Sequence, residues 1–188
     1  MLVSLVVAAL TFVFALFFLT GSLSYATKYV SAAGDLINAG AFVDASQGYV
    51  KTLVTLSIVF IVIVAFMFIT SCHSRRNYYI TNYIAIGLFV AFALAMIIYI
   101  IIMVSNSMNL FLNDINWEIV PERVEALGGL YPMDRGETYP FIVGYIVAAI
   151  VLVDAVLVVL STVWKMLLMK GEKKLLEGSA NVQAEEVA

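Results

Sequence analysis

Asp154 is the residue whose type and position most strongly suggest chemistry, because it is the one charged residue in the long apolar segment 139–164. A carboxylate inside hydrocarbon costs at least a few kcal/mol, so it has to be protonated, paired or hydrated. Counting inward equally far from the ends of the apolar segments places Thr11 at the depth of Asp154. We therefore predict that Asp154 is neutral and forms a hydrogen bond with Thr11.

Two roles for Asp154 follow from this position. In the first role it is a proton or cation site, and in the second it is a structural contact between helices of this chain or with a partner's helix. A proton relay uses several ionisable groups at depth, whereas the apolar segments contain no other Asp, Glu, Lys or Arg. We therefore favour the structural role.

Other reactive residue types are scarce. Cys72 is the single cysteine and His73 the single histidine, which are too few ligands for a zinc site. The apolar segments carry no paired carboxylates and no nucleophile with its base, so we expect no enzyme activity and no metal or other cofactor. A net charge of −3 offers no basic surface for nucleic acid. Cys72 lies at a predicted helix end, where cysteines are candidates for palmitoylation. The alternative is that it is an ordinary small residue with no such modification.

Small residues recur every fourth position in two of the segments. Gly87, Ala91 and Ala95 share one face of a helix, and Gly144 and Ala148 share a face of another. Small residues at this spacing let helix backbones approach closely in membranes. They predict tight packing between these two helices, or an oligomer.

The elements that hold these residues are predicted from the hydrophobic pattern. The chain has 188 residues, of which 63% are hydrophobic and only 12% charged, compared with about 25% charged in soluble domains. The apolar segments cover about 2–23, 52–72, 80–104 and 139–164. Each is long enough for a helix that crosses the bilayer, which takes about 20 residues. We predict an all-α membrane protein, a four-transmembrane-helix bundle in 1–170, with a polar tail lacking regular structure in 171–188.

The first segment could instead be a signal peptide. It has no positive residue before Lys28, and its apolar stretch is longer than a typical signal-peptide core. We therefore expect a retained helix.

Basic residues next to the segments predict the orientation, since Lys and Arg accumulate on the cytoplasmic side. They place both termini in the cytoplasm, and the same charges can contact anionic lipid. These basic residues are Arg75, Arg76, Lys165, Lys170, Lys173 and Lys174.

The two outer segments, about 24–51 and 105–138, differ in their local signals. Gly34, Gly40 and Gly48 predict that the first is interrupted. In the second, Pro121 predicts the start of a short helix and Gly128-Gly129 its end. An apolar face on that helix predicts contact with the membrane surface. The face comprises Trp117, Val120, Val124 and Leu127.

These observations favour a non-enzymatic membrane protein, acting as a structural or accessory subunit of a junction, a membrane domain or a channel assembly in the plasma membrane. Its partners would be the lipid bilayer and other membrane proteins or further copies of itself. The alternative is an oligomeric pore, or a proton- or cation-coupled transporter that uses Asp154. Such proteins line their path with several polar groups or broken helices, so we rank this alternative second.

Overall fold

The structure is a computed structural model that describes the backbone of residues 1–33, 37–73 and 80–186 and the side chains of residues 1–30, 37–71 and 80–172. These residues form six helices and no strand, as the all-α prediction requires. The helices are α1 (Leu2–Phe17), α2 (Ser22–Ala33), α3 (Gly40–His73), α4 (Ile80–Asn113), α5 (Val120–Ala126) and α6 (Tyr139–Glu186).

Several of these helices are long and apolar enough to cross a membrane. Within the described residues, three single helices are long and apolar enough. They cover Gly40–Ser71, Ile80–Asn113 and Tyr139–Glu172. The pair α1 and α2 makes a fourth span only if the two helices are one broken span, since their axes differ by 41°. Apolar helices of this length indicate an integral membrane protein with three spans, or up to four.

The long helices pack as a four-membered ring. Helix α3 contacts α1 and α4, and α6 contacts α4 and α1. Because these helices are apolar on all sides, each buries one face in the bundle and leaves the others for lipid. Phe60 of α3 stacks on Phe89 of α4 with ring centroids 5.6 Å apart. Buried side chains of the ring include Val7, Phe60, Val64, Phe89, Met96, Ile100 and Val151.

The first apolar segment is broken rather than continuous, which corrects the single helix predicted over 2–23. Helix α1 ends at Phe17, and Gly21 takes a φ of 56° before α2 begins at Ser22. Glu137 caps the start of α2. Its carboxylate accepts hydrogen bonds from the backbone N–H of Ser22, at 3.1 Å, and from the Ser22 hydroxyl. A carboxylate at a helix N-terminus satisfies otherwise unpaired N–H groups and the positive end of the helix dipole.

Helices α3 and α4 are longer than the apolar segments that predicted them. Helix α3 begins at Gly40 and not near residue 52, and Gly48 lies inside it without breaking it. Glycine inside a helix costs up to about 1 kcal/mol. Burial of Phe42 and Val43 outweighs that cost.

These extensions belong to a second packed layer, which we call the cap. It comprises α2, residues 40–51 of α3, residues 105–113 of α4, α5 and the segment 127–138. Asn38 donates a side-chain bond to the carbonyl of Asp114 at 2.9 Å, and Tyr29 donates to the carbonyl of Tyr131 at 3.1 Å. The two predicted outer segments are therefore joined to each other as one ordered layer.

Helix α6 is also longer than the apolar segment 139–164 that predicted it. Its backbone stays helical to Glu186, through the polar segment after residue 170 for which we predicted no regular structure. The segment 170–177 consists of Lys, Glu and Leu apart from Gly171, and these three are good helix formers.

Candidate functional site

Asp154 lies on the face of α6 that packs against α1, and only 4% of its surface is exposed. Its Oδ1 accepts a hydrogen bond of 3.0 Å from the hydroxyl of Ser4 in the first turn of α1. The predicted contact between Asp154 and the first helix is therefore present.

The prediction that Thr11 is the hydrogen-bond partner of Asp154 is wrong. Its hydroxyl donates to the carbonyl of Val7, one turn back in its own helix, at 2.9 Å. The depth count assumed that the fourth segment ends at Trp164, whereas α6 continues as a helix far beyond that residue. The ends of the segments are therefore not level, and the partner shifts along α1 by two turns, from Thr11 to Ser4.

Contacts near the last turns of α3 and the first turn of α4 show where this pair lies along the bundle. Asn82 donates a side-chain bond of 3.0 Å to the carbonyl of Thr70, and the Ser71 hydroxyl lies 3.9 Å from the sulfur of Met1. Met1 therefore sits level with the ends of α3 and α4, which we call the α3–α4 end. Ser4 and its partner lie one turn, about 5 Å, inside it, and not at the middle of the bundle.

The second carboxylate oxygen of Asp154 has no such partner. Among the residues that the structure describes, no atom forms a hydrogen bond with Oδ2. A buried polar group without a hydrogen-bond partner costs about 1–3 kcal/mol.

The interface between α1 and α6 holds two adjoining cavities, of about 480 Å³ and 320 Å³. Val7, Ile146 and Ile150 line both, and together we call them the α1–α6 groove. One end lies at Thr20 and Tyr139, whose hydroxyls are 2.9 Å apart. Asp154 lines the other end. The groove is therefore an apolar slot with a polar pair at each end.

The small residues of α6 pack as predicted. Gly144 is buried, and a Cβ placed on it would lie 3.0 Å from Cζ of Phe14 in α1 and collide with Cγ2 of Val104 in α4. Ala148 is also buried. Glycine at position 144 therefore permits three helices to meet.

The small residues of α4 do not pack inside this chain. Gly87, Ala91 and Ala95 are exposed, and a Cβ on Gly87 would meet no atom of the described residues within 4 Å. The face of α4 that packs against the bundle instead carries Ala85, Phe89 and Ala93. The spacing identified a real small-residue face of α4, but that face points away from the bundle.

Helix α5 starts and ends where Pro121 and the Gly pair predicted. It covers Val120–Ala126 with the proline in its first turn, and Gly128 and Gly129 have φ values of 67° and 73°. Its predicted membrane-facing side contacts protein instead. Val120 is 2% exposed, and Trp117, Val124 and Leu127 pack against the apolar core.

Phe111 connects the cap to the bundle, which the sequence did not indicate. Its ring lies 5.4 Å from Phe42 of α3, 5.0 Å from Trp117 and 5.7 Å from Phe141 of α6. The Trp117 indole N–H also donates to the backbone carbonyl of Phe111 at 3.0 Å. One buried ring thus joins three parts of the chain.

Several residues predicted to matter lie outside the described side chains. They are Cys72, Arg75, Arg76, Lys173 and Lys174. Lys165 and Lys170 are described on α6, where Lys165 is half-buried and Lys170 is exposed.

The described residues contain no group of three or more His, Cys, Asp or Glu side chains that could hold a metal ion. No protein-family model, no curated protein and no solved structure matches the chain. The helices and their apolar surfaces define the class of protein, which is an all-helical integral membrane protein.

Proposed function

We propose that the protein is a non-enzymatic structural or accessory subunit of a membrane complex, such as a cell junction, a membrane domain or a channel assembly. The observation that carries this proposal is the apolar, filled interior of the bundle, with rings such as Phe60 and Phe89 stacked between helices. A bundle whose interior is filled mainly by apolar side chains acts through its outer surfaces.

Several buried hydroxyl groups support this view, because they donate to a carbonyl of their own helix. Thr11 donates to the carbonyl of Val7, and Ser57 to that of Leu53. A hydroxyl bonded to its own helix does not line a polar path through the membrane.

The exposed small-residue face of α4, defined by Gly87, Ala91 and Ala95, is the surface we assign to a partner's membrane helix. Such faces permit close backbone approach between helices. The part of the cap that lies beyond the membrane adds a further surface, for contact with soluble parts of a partner.

Purification in mild detergent followed by mass spectrometry tests this proposal. We expect a larger membrane protein to copurify, and we expect Ala91→Leu to release it by filling the small-residue face. Val156→Leu, on an exposed position of α6, is the matched control and should retain the partner. Recovery of the chain alone, or equal binding by both variants, would contradict the proposal.

The proposed topology has four spans, with the α1–α2 pair as the broken fourth, cytoplasmic termini and a location in the plasma membrane. The basic residues that flank the segments support this orientation. In a Cys72→Ser background, Asn181→Cys should react with an impermeant thiol reagent only after cells are permeabilised. Labelling of intact cells would mean that the C-terminus lies outside the cell and that the proposed orientation is wrong.

An oligomeric pore or a proton- or cation-coupled transporter is the second candidate. The observation that favours it is that Oδ2 of Asp154 forms no hydrogen bond with the part of the chain that the structure describes. In that case purification should give a homo-oligomer that conducts protons or cations in proteoliposomes. Asp154→Asn should fold and assemble normally yet lose that flux. A folded Asn variant with unchanged behaviour supports the structural role.

A further inference from the structure

We propose that the head-group layer of the bilayer on the cap side contacts a ring of hydroxyl and amide side chains, which we call the girdle. On this placement, α1 crosses the hydrocarbon by itself and α2 lies outside it. The inference rests on the proposed four-span topology, which it narrows from the α1–α2 pair to α1, and it does not depend on the accessory role. The girdle comprises Thr20, Tyr49, Tyr99, Ser105, Asn106, Tyr139 and Tyr145.

Hydrogen bonds between helices place the girdle residues of α3, α4 and α6 at one level of the bundle. Asn106 donates to the Tyr49 hydroxyl at 3.0 Å, and Tyr99 donates to the backbone carbonyl of Tyr49 at 3.2 Å. The hydroxyls of Ser105 and Tyr145 are 2.9 Å apart. All five side chains are exposed or half-buried. Tyrosine is enriched where a bilayer meets water, because its ring is apolar and its hydroxyl is polar.

The outward-facing side chains change from polar to apolar at the girdle. On α3, Asp44 and Gln47 are exposed on the cap side, whereas Val62 is exposed on the other side. On α4, Asn109 is exposed on the cap side and Ile98 on the other. A carboxylate or an amide that faces hydrocarbon loses its hydration, whereas an aliphatic side chain gains from contact with lipid. The edge of the hydrocarbon therefore lies at the girdle.

The distance from the girdle to the α3–α4 end matches the thickness of a bilayer. Asn82 donates to the carbonyl of Thr70, so these two residues mark one level at that end. At the helical rise, Tyr49 and Thr70 are about 32 Å apart along α3, and Ser105 and Asn82 about 35 Å apart along α4. The hydrocarbon is about 30 Å thick, and a helix with the usual tilt of about 20° crosses it in about 32 Å.

Helix α1 joins the same two levels without α2. Met1 lies beside Ser71 at the α3–α4 end, and the hydroxyl of Thr20 lies 2.9 Å from that of Tyr139 in the girdle. At the helical rise, Met1 and Thr20 are about 28 Å apart, close to the full thickness of the hydrocarbon. Helix α2 begins after the girdle, and its exposed Lys28 then keeps its charge out of the hydrocarbon.

Spin labels on the full Cys72→Ser chain in phosphatidylcholine nanodiscs test this placement. The labelled variants are Ala9→Cys, Lys28→Cys, Ile98→Cys and Asn109→Cys, all at exposed positions, so the labels leave the packing intact. Molecular oxygen concentrates in hydrocarbon, whereas a nickel chelate stays in water. We expect oxygen to dominate the collisions at Ala9 and Ile98, and the chelate to dominate at Lys28 and Asn109. Ala9 lies about 16 Å from Thr20 along α1 and should report the deepest position.

Ile98 and Asn109 are the matched pair, because they lie about three turns apart on one face of α4 and differ only in depth. Equal depths at these two positions would overturn the inference. A label at Lys28 as deep as the label at Ala9 would also overturn it, and would leave the α1–α2 pair as one broken span. Chelate access at Ala9 would instead contradict the four-span topology itself.

Discussion

Replacing Gly144 by leucine should destabilise the bundle by about 3 kcal/mol, the upper part of the usual range for overpacking. Gly144 lies where α6 meets Phe14 of α1 and Val104 of α4, and even a Cβ would stand 3.0 Å from the Phe14 ring and overlap Val104. Val104 is β-branched and has little freedom to turn away within a helix. Helix α6 would therefore have to move outward, which opens contacts along both neighbouring helices.

Gly87→Leu is the matched control for this prediction. It makes the same change in another membrane helix, where a Cβ meets no described atom within 4 Å and the position is exposed. Both variants gain the same intrinsic helix propensity, close to 1 kcal/mol for leaving glycine, so their difference reports packing alone. Thermal unfolding of both variants in one detergent gives that difference. Equal midpoints would mean that α6 does not pack closely on α1 and α4 at Gly144.

The contrast between these glycines explains what the sequence could predict about the bundle. The spacing of small residues marked Gly144 and Gly87 equally well, and only the first faces protein. In a soluble helix the buried face is the apolar one, but in lipid both faces are apolar. The hydrophobic pattern therefore predicts that the segments are membrane helices without predicting which face meets another helix.

Features of the chain that depend on single residues were predictable from the sequence, whereas contacts between distant residues were not. Pro121 and Gly128-Gly129 predicted α5 correctly, because a fixed φ and a positive φ are properties of single residues. The partner of Asp154 was wrong, because it depends on where helices of different length stand relative to one another. The start of α3 was missed for a related reason, since burial of Phe42 against Phe111 is a tertiary contact that overrides the local effect of Gly48.

Phe111→Ala should detach the cap from the bundle and cost about 3–5 kcal/mol, as for other buried phenylalanine truncations. The ring is fully buried and makes three aromatic contacts, to Phe42, Trp117 and Phe141. Pairs of this kind add about 0.5–1.5 kcal/mol each beyond burial of their area. The bond from the Trp117 indole goes to the Phe111 backbone, so the substitution keeps that bond and removes only the ring.

Phe17→Ala is the control, because this ring is 64% exposed and faces lipid rather than protein. We expect it to shift the unfolding midpoint little, whereas Phe111→Ala lowers the midpoint and speeds hydrogen exchange in residues 105–127. In a Trp164→Phe background, Trp117 is the remaining tryptophan, and its emission should move to longer wavelength as water reaches the ring. If Phe111→Ala matched Phe17→Ala in both midpoint and exchange, the cap would be held by its hydrogen bonds, and the buried aromatic contacts would contribute little to its stability.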